Sequence, residues 1–113
     1  MTTTAQRLNE ISKWIDDGNR ERDSETMLWL RIGKVTEEAG EATAALIGYT
    51  GANPRKGYTH GRGDVEKELL DVALTALGAV AHLYANNPAY DVLGRLASHI
   101  EFVHDRAGLG GAA

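Results

Sequence analysis

The sequence predicts an all-α protein that folds as an up-and-down four-helix bundle in a single domain. Segments rich in Ala, Leu, Glu and Lys, which favour helix, alternate with short stretches rich in Gly, Asn and Pro. No stretch alternates apolar and polar residues for long enough to predict a strand. The length of 113 residues suits one domain, predicted over residues 1–107, with a flexible Gly/Ala tail at 108–113.

The composition excludes several classes of function. The chain has no cysteine, which rules out a disulfide framework and a thiolate metal site, and its net charge of -4 disfavours general binding along a nucleic-acid backbone. Its most apolar stretch, 72–85, is interrupted by Thr75, Gly78 and His82, whereas a membrane span takes about 20 apolar residues. With no secretory signal at the N-terminus either, we expect a cytoplasmic protein.

The first two helices are marked by their N-caps. Helix 1 is predicted over about 4–17, where Thr3 and Gln6 have the spacing of a capping box. Helix 2 is predicted over about 24–49, with Asp23 as its N-cap. Alternating spacings of four and three predict its bundle-facing residues. These are Leu28, Ile32, Val35, Ala39, Ala42, Leu46 and Tyr49.

Helix 3 is predicted over about 64–86, with Asp64 as its N-cap, and it carries two apolar stripes. The stripes are Leu69, Val72, Ala76, Ala79 and Leu83, and Leu70, Ala73, Leu77, Val80 and Tyr84. An apolar surface this wide must be covered from more than one side. We therefore predict that helix 3 is central and shared with an oligomer interface, in a homodimer or a dimer of dimers. A monomer with helix 3 at its centre is the alternative.

Helix 4 is predicted to start near Asn87, with Pro88 in its first turn, where a missing N–H costs nothing. Its periodicity predicts a buried face towards the bundle. The residues of that face are Leu93, Leu96, Ile100 and Val103.

Acidic residues recur on helices 2 and 3. Glu38 and Glu41 lie roughly 60° and 120° from the apolar face of helix 2, on the same side, and Glu37 lies nearer solvent. On helix 3, Glu68 and Asp71 begin a polar stripe. Its members are Glu68, Asp71, Thr75, Gly78 and His82. If this stripe faces helix 2, four carboxylates converge, and a hard cation such as Mg²⁺ would relieve their repulsion. A solvated acidic face is the alternative.

The acidic pattern is EExxE, a gap of 26 residues, and then ExxD. It resembles the all-α NTP pyrophosphohydrolases, in particular the MazG-like proteins, over about residues 28–83. The resemblance implies that Mg²⁺, or Mn²⁺, is bound by Glu38, Glu41, Glu68 and Asp71. It implies that Glu37 orients or deprotonates the attacking water. The activity it implies is hydrolysis of a (deoxy)nucleoside triphosphate, or a related nucleotide, to the monophosphate and pyrophosphate.

The link between helices 2 and 3, residues 50–63, carries three bases and no acid. Long ordered loops are often functional, so Arg55, Lys56 and Arg62 are candidate phosphate ligands. A flexible surface loop whose bases balance the acidic bundle is the alternative, and the sequence favours neither.

Three further residues are candidate substrate contacts. Lys34, one turn before Glu38, resembles a lysine that meets phosphate in the family, although a salt bridge to the neighbouring acids fits equally well. Trp29 could stack on a base, but packing in the core or an interface is the favoured reading. His82 is either a substrate contact or, more simply, a buried hydrogen-bonded histidine. The competing functional hypothesis is a non-catalytic helical module that binds a nucleotide or a protein partner.

Overall fold

The structure, a computed structural model, describes residues 1–111 and confirms the all-α prediction. The helices are α1 (Thr4–Asp17), α2 (Ser24–Thr50), α3 (Arg62–Leu83) and α4 (Val92–Arg106), and α3 packs against each of the other three. None of the helices in residues 1–111 combines the length and hydropathy needed to cross a bilayer. Of the predicted tail, residues 108–111 are non-helical, and 112–113 lie outside the described residues.

The predicted caps of α1 and α2 are confirmed. The Thr3 hydroxyl accepts from the Gln6 backbone N–H at 3.1 Å, and the Gln6 side chain accepts from the Thr3 backbone N–H at 2.8 Å. Asp23 accepts from the Thr26 backbone N–H at 2.8 Å and so begins α2. Gly51 ends that helix in the left-handed region, with φ at 66°, where glycine carries no Cβ penalty.

Both ends of α3 differ from the prediction. The helix begins at Arg62 with Gly61 as N-cap, and Asp64 lies inside the first turn, where its carboxylate accepts from the Gly61 N–H at 2.8 Å. The helix ends at Leu83, and beyond its C-cap Tyr84 both Ala85 and Asn86 adopt a left-handed conformation with φ at 55°. That conformation turns the chain away from the helix axis, and the Asn86 side chain bonds to α1.

The predicted start of α4 is also wrong. Asn87 and Pro88 belong to a turn, in which the Asn87 side chain accepts from the backbone N–H two residues on at 2.9 Å. The helix starts at Val92, after the N-cap Asp91, whose carboxylate accepts a first-turn N–H at 2.9 Å. Asn87 and Asp91 can both cap a helix, but the Asn87 side chain bonds only within the turn, and Asp91 caps α4.

The face that α2 buries shares Ala42 with the predicted face and is otherwise shifted by one position. Its buried residues are Met27, Arg31, Ala42, Ala45 and Gly48. Two of the predicted contacts, Ile32 and Leu46, are 50% and 47% exposed. The small residues of the buried face allow a close approach between α2 and α3, which the larger apolar residues would block.

On α3 the polar stripe turns inward. Gly78 is buried, and Glu68, Thr75 and His82 are partly buried, whereas Leu70 of the second apolar stripe is 61% exposed. The stripe does not face α2 along its whole length: Glu68 lies against the acidic pair of α2, whereas Gly78 and His82 bond to Ser12 and Asp16 of α1.

Most of the predicted buried face of α4 is exposed. Val92 is buried against Leu8 and Ala81, but Leu96 and Ile100 lie open on the surface of the chain. From Arg95 to Arg106 every residue of the helix is exposed, so its later turns are not covered within residues 1–111.

Gly48 brings the loop between α2 and α3 back onto α2. Its carbonyl accepts from the Thr59 N–H at 2.9 Å, and a Cβ at position 48 would collide with the Thr59 and His60 side chains. We expect Gly48→Ala to lower the free energy of unfolding by about 1 to 3 kcal/mol through overpacking. Gly40, on the same helix, faces open space, so Gly40→Ala should raise it by about 0.5 to 1 kcal/mol. Urea unfolding measures both, and equal shifts would contradict the docking of the loop.

Candidate functional site

Three carboxylates meet between α2 and α3. Glu38, Glu41 and Glu68 each offer an oxygen, and these three atoms lie within 4.8 Å of one another. The spacing of three residues places Glu38 and Glu41 on one side of α2, and the inward polar stripe of α3 supplies Glu68. The side chains of Glu38 and Glu68 are largely buried.

The electrostatics of this acidic cluster favour a cation. The negative charge of Glu38 raises the pKa of Glu41, and burial and the charge of Glu68 act in the same direction. One oxygen of Glu68, Oε2, is buried with no hydrogen-bond partner among the described residues. A divalent cation would remove the repulsion and satisfy that oxygen, and a set of carboxylate oxygens suits Mg²⁺ or Mn²⁺.

Asp71, the fourth predicted ligand, is not among the three clustered residues. Its carboxylate accepts from Lys67 at 3.2 Å, and the Lys67 ammonium also lies 3.7 Å from Glu68. The hydrogen bond to Asp71 raises the pKa of Lys67. The sequence analysis missed Lys67, although its spacing of four from Asp71 signals such a pair.

Lys34 borders the cluster on the α2 side. Its ammonium donates to Glu37 at 3.0 Å and lies 3.6 Å from Glu38, which is the salt bridge considered from the sequence. The hydrogen bond to Glu37 raises the pKa of Lys34. Both Lys34 and Glu37 remain about half exposed, so they are accessible to a ligand at the cluster.

A cavity of about 540 Å³ lies between α1, α2 and α3. None of the three clustered carboxylates lines it, but Lys34, one of its wall residues, lies 3.6 Å from Glu38. Lys34 and Glu37 form part of its wall, and its other walls are mainly apolar, including Leu74 and Ile11. Trp29 lines it as well and is 73% exposed, so it is not packed in the core of this chain. The volume falls within the range of small-molecule sites.

A polar network forms part of the cavity wall at Arg31. The buried Arg31 guanidinium donates to Asp16 at 2.8 Å, and the other Asp16 oxygen pairs with His82 at 2.7 Å and accepts from Asn86 at 2.8 Å. Burial by itself raises the pKa of Asp16, but the His82 and Asn86 hydrogen bonds and the Arg31 charge outweigh it and lower that pKa. His82 is therefore the buried hydrogen-bonded histidine, and it does not line the cavity.

The structure divides the three bases predicted for the loop between the loop and α3. Arg55 and Lys56 are exposed in the link 51–61, and Arg62 lines a separate groove at the start of α3. Arg62 precedes Glu68 by six residues, roughly 9 Å along the helix axis. Among residues 1–111, no ion pair joins these bases to the cluster.

Comparisons with family models, with curated proteins and with solved structures each give no match to this chain. The chemistry of the site must therefore be inferred from its own residues. These residues combine a cluster of three carboxylates, two flanking lysines and an adjoining, mainly apolar cavity. Such a set suits a ligand with an anionic part and a flat apolar part.

Proposed function

We propose that this protein is a Mg²⁺-dependent hydrolase that converts a (deoxy)nucleoside triphosphate, or a related nucleotide, to the monophosphate and pyrophosphate. The observation that carries the proposal is the juxtaposition of the acidic cluster with the cavity. A nucleotide has two parts that match these two features, because its phosphates bind hard cations and its base has flat faces that stack on apolar and aromatic side chains. The MazG-like relationship inferred from EExxE and ExxD is part of the same proposal.

Glu38, Glu41 and Glu68 would hold the metal, for which Mn²⁺ is a possible substitute. When bound, the ion polarises phosphate oxygens and offsets the charge of the leaving pyrophosphate. Asp71 stays in the proposed metal set because its present partner, Lys67, is an exposed side chain that is easily displaced. The unpartnered Glu68 oxygen and the raised pKa of Glu41 support this assignment.

The cavity would take the nucleoside. Trp29 can stack on the base from the cavity wall, and Lys34 is placed to meet a phosphate where the cavity adjoins the cluster. Arg55 and Lys56 of the loop, and Arg62 at the start of α3, stay predicted phosphate contacts. His82 would act on substrate only through Asp16 and Arg31.

Glu37 is the proposed catalytic residue. It lies on the cavity wall beside Glu38, and its pairing with Lys34 holds its carboxylate in place. From there it would orient or deprotonate the water that attacks the α-phosphorus. The new bond joins the water oxygen to that phosphorus, the bond to the bridging oxygen breaks, and pyrophosphate leaves. We also propose a cytoplasmic protein that self-associates as a homodimer or a dimer of dimers.

The decisive experiment measures pyrophosphate and nucleoside monophosphate release over a panel of NTPs and dNTPs, with Mg²⁺ or Mn²⁺. We expect turnover that EDTA abolishes and added metal restores. Trp29→Ala should raise KM more than it lowers kcat. Trp14→Ala is the matched control, because Trp14 is 75% exposed, like Trp29, but does not line the cavity.

The competing hypothesis predicts a different outcome of the same panel. A non-catalytic binding module would release no pyrophosphate with any nucleotide. If, in addition, neither metal shifted the melting temperature, the acidic cluster would be a solvated face and the hydrolase proposal would be wrong.

A further inference from the structure

The chain exposes far more surface than a compact monomer of its mass. Its accessible surface is 8332 Å², whereas a folded monomer of 12.2 kDa exposes about 6,000 Å². Its radius of gyration is 17.4 Å, against about 13 Å for a compact chain of this length. The excess of about 2,300 Å² per chain is large enough for an obligate dimer interface.

Part of the excess lies on α4. Its first turn is anchored at Val92, and the apolar stripe that begins there continues onto turns that no other helix covers. We call this the arm face; it consists of Leu96, Ile100 and Val103. An exposed apolar stripe that continues from a buried one indicates that this helix packs against another molecule.

A second uncovered surface lies at the other end of the α2–α3 hairpin. We call it the hairpin face; it consists of Leu46, Tyr49, Leu69 and Leu70. These residues line one shallow groove, with the charged Arg62 and Glu66 also at its walls. An apolar centre accompanied by charged side chains is the usual anatomy of a protein interface.

We propose that a second copy of this chain covers both faces, with the arm face of each copy packed on the hairpin face of the other. A two-fold dimer makes every contact twice, so this single arrangement covers both faces in both copies. Pairing of arm with arm and of hairpin with hairpin would need a second interface, as in a dimer of dimers, and would give a molar mass of four chains. A dimer that buries the excess surface of both chains buries about 4,600 Å² in total, within the range of 2,000 to 5,000 Å² for obligate interfaces. The inference rests on the self-association proposed above and is independent of the hydrolase.

Molar mass in solution is the first test. Light scattering at micromolar protein should give twice 12.2 kDa for the native chain. Ile100→Glu should shift the population to the monomer by at least 10-fold in dissociation constant. Ser98→Glu is the matched control, because two residues turn about 200° around a helix and place Ser98 away from the arm face. A monomeric native chain would overturn all self-association, whereas a dimer indifferent to Ile100→Glu would overturn the arm alone.

Cross-linking tests the arrangement without relying on a destabilised variant. The chain has no native cysteine, so every disulfide that forms must join the introduced cysteines. Ile100→Cys and Leu70→Cys chains, refolded together and oxidised, should form a mixed disulfide, which requires Cα atoms within about 7 Å. Neither variant should cross-link by itself. A disulfide between two Ile100→Cys chains, or no mixed product from a dimeric protein, would show a different interface.

Discussion

Glu41→Gln is expected to lower turnover of nucleotide at least about 100-fold, because even the loss of a residue that supports a metal ligand costs 10- to 100-fold. The same change should raise the melting temperature of the metal-free protein. Glu41 sits in the field of Glu38 and Glu68, which raises its pKa, so removal of its charge relieves repulsion in the folded state. Steady-state kinetics and metal-free thermal unfolding give the two readings.

The control for this prediction is Glu10→Gln, which removes an equal charge from an exposed position on α1 outside the cluster. It should leave turnover unchanged, and it should preserve the stabilisation that Mg²⁺ or Mn²⁺ gives the native protein, which Glu41→Gln should lose. Full activity in Glu41→Gln, or an unaltered metal-induced shift, would show that the three carboxylates do not bind the ion.

Arg31→Met is expected to cost about 3 kcal/mol of unfolding free energy, at the low end for a buried ion pair because Asp16 keeps 20% of its side-chain surface exposed. The substitution leaves the Asp16 carboxylate partly buried with His82 and Asn86 as its only remaining hydrogen-bond partners. It also removes the three hydrogen bonds from Arg31 to Asp16 and Ser12 that join α2 to α1. Urea unfolding, monitored by helical circular dichroism, measures the loss.

A second substitution separates the cost of the unpaired charge from the loss of packing. Asp16→Asn removes the charge and keeps an oxygen that can accept from Asn86. The double variant Arg31→Met/Asp16→Asn should therefore lose less stability than Arg31→Met alone, a sign of strong coupling between the two sites. Additive losses would mean that Arg31 stabilises the fold through packing and its bonds to Ser12, and not through Asp16.

The features that follow from neighbouring residues were predictable. The capping box of α1, the Asp23 cap and the existence of all four helices depend on groups three or four positions apart. The two acidic pairs could be located for the same reason, and three of the four proposed ligands do lie together.

The features that depend on long-range contacts were not predictable. Asn87 and Asp91 are both competent caps, and only the packing of Val92 against α1 and α3 selects the second. After α3 ends, the Asn86 side chain donates a hydrogen bond to Asp16, which lies 70 residues away in the sequence.

Residues close together in the sequence thus specify where this chain is helical and which carboxylates are neighbours on each helix. The tertiary structure decides which face each helix buries. A helix here has two faces of similar apolar content, and the buried one is the face that allows close packing between helices and pairs its polar side chains. On α2, small residues and Arg31 prevail over the larger Ile32 and Leu46. In this packing of α2 on α3, the polar stripe of α3 faces inward and Glu68 joins Glu38 and Glu41. The large apolar side chains of α2 remain exposed.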